Sequence, residues 1–400
     1  MTGESAISLS AELEAILAPE WRKAIDAAPR HLFIPPVVWV ARNGGRGWVP
    51  LSRRDEPASW WDAVNQDGYI VTQVDDGRPP TPGAVGEYAT SSASQPSLVL
   101  RMLAELDLAP GHRVLEIGTG TGWNAALMCA RLGDDAVTTI EVDGDLADAA
   151  RIALGRAGFR PTVVVGDGAA GHTPGAPYDR IVSTASIQRV PAAWLAQTRP
   201  GGVILTPYGD AYHNDALLRL TVGEDGTASG RFVGRAAFMW LRQDRVLLGP
   251  LRDYVHPDDR PDRRTTELDP RAVFGAPDVD FAVAARVRDC SWYRVDAADG
   301  SDEFTVWLLG LADAHPDAHP AADADERSWA LVDFEGQAPY AVEQYGPRRL
   351  WDEIEAAYRW WQEMGRPPTD RFGLTVGPAG RRLWLDSPDN PGGAGSWSGW

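Results

Sequence analysis

Glu116 stands just ahead of three glycines, Gly118, Gly120 and Gly122, in the stretch RVLEIGTGTG from Arg113 to Gly122. Glycines at this spacing let a backbone turn sharply off a strand and come closer to a ligand than side chains allow. The dinucleotide fingerprint G-x-G-x-x-G would need a third glycine where this chain has Trp123. An acid ahead of the turn suits a cation better than a phosphate. S-adenosylmethionine (SAM) carries a sulfonium and an ammonium and no phosphate, so it is the expected ligand. Glu141 ends AVTTIE, 23 residues beyond Gly118. Its two acceptor oxygens could take both ribose hydroxyls. Asp167, in the run Gly166, Asp167, Gly168, could accept from the adenine amino group, or form only an Asx turn.

These groups need strands and helices to place them. Val114 onward reads as a strand and Trp123–Leu132 as a helix. Ala136–Glu141 reads as a second strand, Leu146–Ala157 as a helix and Thr162–Val165 as a third strand. Arg180–Ser183 and Gly202–Thr206 follow as strands, with a helix over Ala192–Gln197 between them. Alternating strands and helices give a parallel, doubly wound α/β sheet with the proposed ligand groups at its carboxyl edge. The expected fold is a SAM-dependent methyltransferase Rossmann-like sheet with a helical and irregular N-terminal region and a C-terminal α+β domain. We expect three parts: a substrate-facing region over 1–80, the methyltransferase domain over 81–240 and an accessory domain over 241–400.

In the N-terminal part, Leu13, Ile16, Leu17, Trp21 and Ile25 are spaced for an amphipathic helix over Leu9–Ala28. Trp39–Pro57 is rich in Gly and Arg, GYIVTQVDDG reads as a strand, and the serines before Pro96 read as irregular chain leading into a helix from Ser97. Beyond Met239, the stretches DFAVAARV, SWYRVD, FTVWLLG and WALVDF alternate as strands of an antiparallel sheet. Arg348–Met364 reads as a helix with Leu350, Ile354, Ala357 and Trp361 on its core stripe. His315 and His319 stand in a proline-rich loop without metal-ligand spacing, so no metal is expected.

The 400 residues exceed one ordinary domain. A formal net charge of −18 argues against nucleic acid as a partner. From Trp21 to Arg54, however, six arginines and Lys23 face a single acid, Asp26, a local charge that could steer an acidic substrate. No leader and no run of about 18 apolar residues is evident, so the expectation is a cytoplasmic protein without membrane association. Cys129 and Cys290 read as buried small hydrophobes.

SASQP (Ser92–Pro96), VLEIGTGTGWNAALM (Val114–Met128), GDG (Gly166–Gly168), YDRIVSTAS (Tyr178–Ser186) and PGG (Pro200–Gly202) resemble the protein-L-isoaspartate O-methyltransferase family, in family order. The resemblance implies that Ser94 is the active-site hydroxyl beside the transferred methyl. It implies that Gln95, Glu116, Gly118, Thr119, Gly120, Gly122, Asn124, Glu141, Val142, Asp167 and Gly168 surround SAM or its product S-adenosylhomocysteine (SAH). Where repair enzymes run small and apolar after the fourth strand, this chain has Ser186, Ile187, Gln188 and Arg189, which makes Ser186 and Arg189 the expected substrate contacts. Repair enzymes of the family are shorter. With RHLFIPP, WVPLSRRDEPASWWDAVNQDGYIVTQ, YGPRRLWDEIEAAYRWW and RFGLTV, the whole chain is similar to enlarged methyltransferases of graspetide and lanthipeptide systems. Those esterify an Asp of a ribosomally made, macrocyclised peptide, and the ester closes to an aspartimide.

The expected reaction is therefore carboxylate O-methylation of a dedicated, acidic precursor peptide. A carboxylate with a pKa near ~4 is already ionised at neutral pH, so no strong general base is required. Repair of isoaspartate is the nearest alternative, and a peptide-binding escort without catalysis is an alternative of another class.

Overall fold

The N-terminal segment, expected to be helical and irregular, also builds a four-stranded antiparallel sheet. In this computed structural model, residues 18–42, 45–78, 85–246, 248–311, 327–389 and 396–397 are described. Helix α1 (Pro19–Ala27) carries proline in its first turn, where a missing N–H costs nothing, and buries Trp21 and Ala24. Leu13, Ile16 and Leu17 of the longer helix expected there lie outside the described residues. Strands β1 (Val37–Ala41), β2 (Trp48–Ser52), β3 (Ile70–Val74) and β4 (Ala89–Ala93) pair in the order β2-β1-β3-β4. Helix α2 (Pro57–Asn65) folds Trp60 into a core with Val38, Leu51, Val64, Ile70 and Ala93. Strand β4 corrects the irregular reading of the serine run. Its Ser91 and Ala93 face inward, and Thr72 of β3 donates to the Ser91 hydroxyl at 3.2 Å. Short polar side chains carry no apolar period, so only the cross-strand partner reveals the strand.

The chain divides into two units, the first Met1–Ala185 with Val190–Thr206 and Arg219–Ala228, the second Ser186–Arg189, Pro207–Leu218 and Ser229–Trp400. The first contains the parallel sheet. Helix α3 (Pro96–Glu105) leads to β5 (Val114–Ile117), α4 (Trp123–Leu132), β6 (Val137–Glu141), α5 (Gly144–Ala157), β7 (Thr162–Val165), β8 (Tyr178–Ser183), α6 (Ala192–Gln197) and β9 (Thr198–Tyr208). β6 and β8 flank β5 in parallel, β7 adds beyond β6, and β9 pairs in parallel with β8. β5 is buried at all four positions, which is why its sequence is a short unbroken run rather than an alternation.

The division of the chain passes through β9, β10 (Ala216–Val222) and β11 (Ala228–Gly234). The second unit holds β12 (Asp262–Thr266), β13 (Cys290–Asp296), β14 (Phe304–Gly310), β15 (Trp329–Phe334) and β16 (Tyr340–Tyr345), an antiparallel sheet ordered β12-β16-β15-β14-β13. Three of the four stretches read as strands are strands. DFAVAARV is not: its first half belongs to helix α7 (Pro277–Ala284), opened by Pro277 with Asp278 and Asp280 in the first turn. Every residue from Val279 to Ala284 is buried, so the one-sided pattern that marks a surface helix is absent. Helix α8 (Leu350–Glu363) buries Leu350, Ile354 and Ala357 as its stripe foretold, with Trp361 packed partly against the same core. Strands β17 (Phe372–Gly377) and β18 (Gly380–Leu385) form a hairpin, and β19 (Ser396–Trp397) pairs antiparallel with β18. Both cysteines are free and buried. His315 and His319 lie outside the described residues. Among the described residues no group of His, Cys, Asp or Glu could hold a metal, and no helix is long and apolar enough to cross a membrane.

Candidate functional site

Gly118, Gly120 and Gly122 all take left-handed φ, at +87°, +52° and +88°. They do different work. A Cβ on Gly118 would lie 2.9 Å from the Thr184 hydroxyl, and on Gly122 3.2 Å from Leu154 of α5. A Cβ on Gly120 would have only the Ser92 carbonyl nearby, at 3.7 Å. Packing therefore crowds Gly118 and, less severely, Gly122, and Gly120 leaves its space open beside β4. Thr184, one residue past β8, donates to the Gly118 carbonyl at 2.6 Å and fixes the turn. It stands inside the quoted YDRIVSTAS, but nothing in its type foretold this bond.

Glu141 reaches back to the same turn. Its Oε2 accepts from the Gly120 amide at 3.0 Å and its Oε1 from the Asp143 amide at 3.2 Å. Each oxygen keeps a second lone pair for a diol. Asp143 caps α5 through the amides of Asp145 and Leu146, and takes a hydrogen bond from Gln73 of β3 at 3.0 Å. Gln73 in turn accepts from Thr90 of β4 at 2.8 Å. The sequence reading missed this bridge between the N-terminal sheet and the tip of β6, because an isolated Gln in a strand carries no signal of its partner.

Three of the proposed cofactor residues turn inward. Glu116 is fully buried and accepts from Asn124 Nδ2 at 2.7 Å and from the Thr139 hydroxyl at 2.6 Å. With its proton spent, Thr139 accepts from buried Thr119 at 2.7 Å. Side-chain contact of Glu116 and Thr119 with a ligand is thus corrected to support beneath the turn. Asn124 donates its amide to Glu116, and its buried Oδ1 has no partner among the described residues. Burial pushes the Glu116 carboxyl up to about 7, against the pull of the Thr139 and Asn124 hydrogen bonds. Val142, by contrast, is 46% exposed just past Glu141, an apolar surface for a flat ring. Asp167 forms the Asx turn, accepting from the Ala169 amide at 2.9 Å, and Gly168 is buried with its carbonyl held by Trp194 Nε1 at 2.8 Å.

Ser94 follows β4, two residues from the carbonyl that faces Gly120, and is half-buried. Among the described residues its hydroxyl makes no hydrogen bond, while its carbonyl accepts from Arg30 Nη2 at 2.9 Å. Gln95 donates to Asp67 at 3.2 Å. Ser186 and Arg189 belong to the second unit. Ser186 is fully buried, its hydroxyl donating to the Phe238 carbonyl at 3.0 Å, so it presents nothing to a substrate and that expectation is corrected. Arg189 is exposed.

The acidic and apolar groups around the turn suit a ribose diol, an amine and an adenine ring, and the open space at Gly120 admits a ligand where any other residue would place a Cβ. Parallel sheet, glycine turn and acid-tipped β6 together are the SAM-dependent methyltransferase fold. A family profile described as protein-L-isoaspartate(D-aspartate) O-methyltransferase matches residues 80–245. The protein-L-isoaspartate O-methyltransferase of Methanopyrus kandleri is 41% identical over 164 residues, 40% of this chain and 71% of that protein. That of Ignicoccus hospitalis is 43% identical over 148 residues, 36% of this chain and 69% of that protein. The chain belongs to the protein-L-isoaspartate O-methyltransferase family and is a SAM-dependent carboxyl methyltransferase. A solved structure described as a protein-L-isoaspartate O-methyltransferase shares the fold over 94% of this chain and 98% of its own, with a TM-score of 0.51 and 22% identity. Length therefore does not by itself separate this chain from proteins of that description.

Proposed function

We propose that the protein methylates the side-chain carboxylate of an Asp in a ribosomally made, macrocyclised precursor peptide, whose ester then closes to an aspartimide. One observation carries this reading. Two of the four stretches likened to the peptide-modifying enzymes, RHLFIPP and WVPLSRRDEPASWWDAVNQDGYIVTQ, build the layer that holds Ser94, while YGPRRLWDEIEAAYRWW and RFGLTV belong to the second unit. The basic charge of the same region favours an acidic acceptor. We assign residues 1–80 to facing the substrate, 81–240 to methyl transfer and 241–400 to an accessory role.

In this reading Glu141 holds the ribose, Val142 and Asp167 the adenine, and the backbone of Gly118–Gly122 the remainder of SAM. When bound, SAM supplies an electrophilic methyl on a sulfonium. Ser94 orients the acceptor oxygen by a hydrogen bond and takes no covalent part. The acceptor is ionised already, so the chain needs no base and contributes alignment and exclusion of water. The family membership supports a second reading, methylation of isoaspartate in damaged proteins by the same groups.

Intact mass spectrometry separates the two. An isoaspartyl peptide and a macrocyclised precursor encoded beside this gene are each incubated with enzyme and SAM. We expect one methyl added to the precursor, then a net loss of one water relative to the start. Methylation of the isoaspartyl peptide alone would overturn the precursor reading.

A further inference from the structure

We propose that Arg30 and Asp67 form a two-sided clamp, positioning residues that fix the Ser94 hydroxyl for methyl transfer. The inference rests on the reading of Ser94 as the group that orients the acceptor. Arg30 is 1% exposed. Its Nη1 donates to the carbonyls of Val64 at 3.1 Å and Gln66 at 3.3 Å, and its Nη2 to those of Gly68 at 2.8 Å, Ala93 at 3.3 Å and Ser94 at 2.9 Å. Val64 is in the last turn of α2, Gln66 and Gly68 lie between α2 and β3, and Ala93 and Ser94 lie at the end of β4. One guanidinium therefore joins two chain segments whose carbonyl oxygens would otherwise meet unpaired in the interior.

Asp67 works in the opposite direction from within the first segment. Its Oδ2 accepts from Gln95 Nε2 at 3.2 Å and its Oδ1 from the Ser97 amide at 2.8 Å. The chain is thus gripped at Ala93 and Ser94 by a cation and at Gln95 and Ser97 by an anion. Held in this stretch, the half-buried Ser94 makes no hydrogen bond through its hydroxyl among the described residues. A group held by its backbone on both sides, with its own donor unspent, is arranged to act on something the protein does not contain. Arginine suits the task because its planar fork reaches several acceptors in fixed geometry, whereas lysine offers three donors on one atom. Burial lowers the Arg30 pKa to about 10, offset in part by the charge of Asp67, so the fork stays charged at neutral pH.

The test combines Arg30→Lys, Asp67→Ala, Asp67→Asn and Ser94→Ala with three readouts: hydrogen exchange of peptides spanning 93–98, SAH dissociation by calorimetry, and kcat on whichever of the two acceptors above takes the methyl. Arg30→Lys and Asp67→Ala should speed exchange in 93–98 and lower kcat about ten- to a hundredfold, with SAH affinity unchanged. Asp67→Asn should restore part of the protection, because its Oδ1 still accepts from Ser97. Adding Arg30→Lys to Ser94→Ala should cost no further kcat, since both remove the same function. Unchanged exchange in 93–98, a parallel loss of SAH affinity, or multiplicative losses in the double variant would overturn the clamp. Wild-type kcat in Ser94→Ala would instead overturn the reading of Ser94, even where exchange shows the segment loosened. If Arg30→Lys does not fold, Asp67→Ala carries the same test.

Discussion

Glu116 shows how one residue can be right in type and different in task. Its position ahead of the glycines suggested an anion facing a cation, yet the carboxylate lies beneath the turn, held by Asn124 and Thr139. In the folded chain its pKa rises from 4.5 to about 7 because burial penalises the charged form more than two hydrogen bonds favour it. A folded-state pKa above the unfolded one means the folded state binds the proton more tightly. That stabilisation is complete below about 4.5 and is lost as pH rises through about 7. Glu116→Gln should flatten this dependence, seen as a smaller fall in Tm between pH 5 and 8 than the native chain shows. An unchanged pH profile would mean that another buried acid, such as Asp280 with its pKa raised to about 7, dominates.

At the scale of elements, the glycine turn makes a prediction that distinguishes ligand space from packing space. Gly118 and Gly120 both have positive φ, so any other residue is strained at either position by about 1–2 kcal/mol. Gly118→Ala also drives a Cβ to 2.9 Å from Thr184, whereas Gly120→Ala meets nothing closer than 3.7 Å. Chemical denaturation should therefore find Gly118→Ala the less stable variant. Calorimetry should find that Gly120→Ala loses SAM affinity out of proportion to its stability cost, because its methyl occupies the space left for the ligand. Equal affinity losses at matched stability would argue against that placement. The serine run of β4 and the helix at Pro277 carry the complementary lesson. Strand and helix were misread there because neither small polar residues nor a segment buried on every side displays a period.

Across the molecule, the second unit has a core of its own, in which Ile354 of α8 is fully buried beside Val306, Val332 and Trp351. Ile354→Ala should cost about 2–5 kcal/mol of that unit's stability, read by denaturant unfolding. If the unit serves the acceptor, the same variant should raise KM for the peptide while SAM affinity stays as it was. Loss of SAM binding with unchanged KM would remove the accessory role assigned to it.

The parallel sheet, the glycine turn, Glu141 at its strand tip and the core stripe of α8 were legible in the chain itself. They depend on local chemistry: β-branched runs, glycine's freedom at positive φ, and the period of a half-buried helix. Arg30, Asp67, Gln73 and Thr184 were not legible. Each acts through a partner far away in sequence, Ser94 for Arg30 and Asp143 for Gln73 among them, and their own neighbours say nothing of it. The sequence by itself determined which ligand class the turn suits and which fold carries it. Only the tertiary structure decided which acids stand at the turn and which lie beneath it, because burial and hydrogen-bond partners are properties of the packed chain.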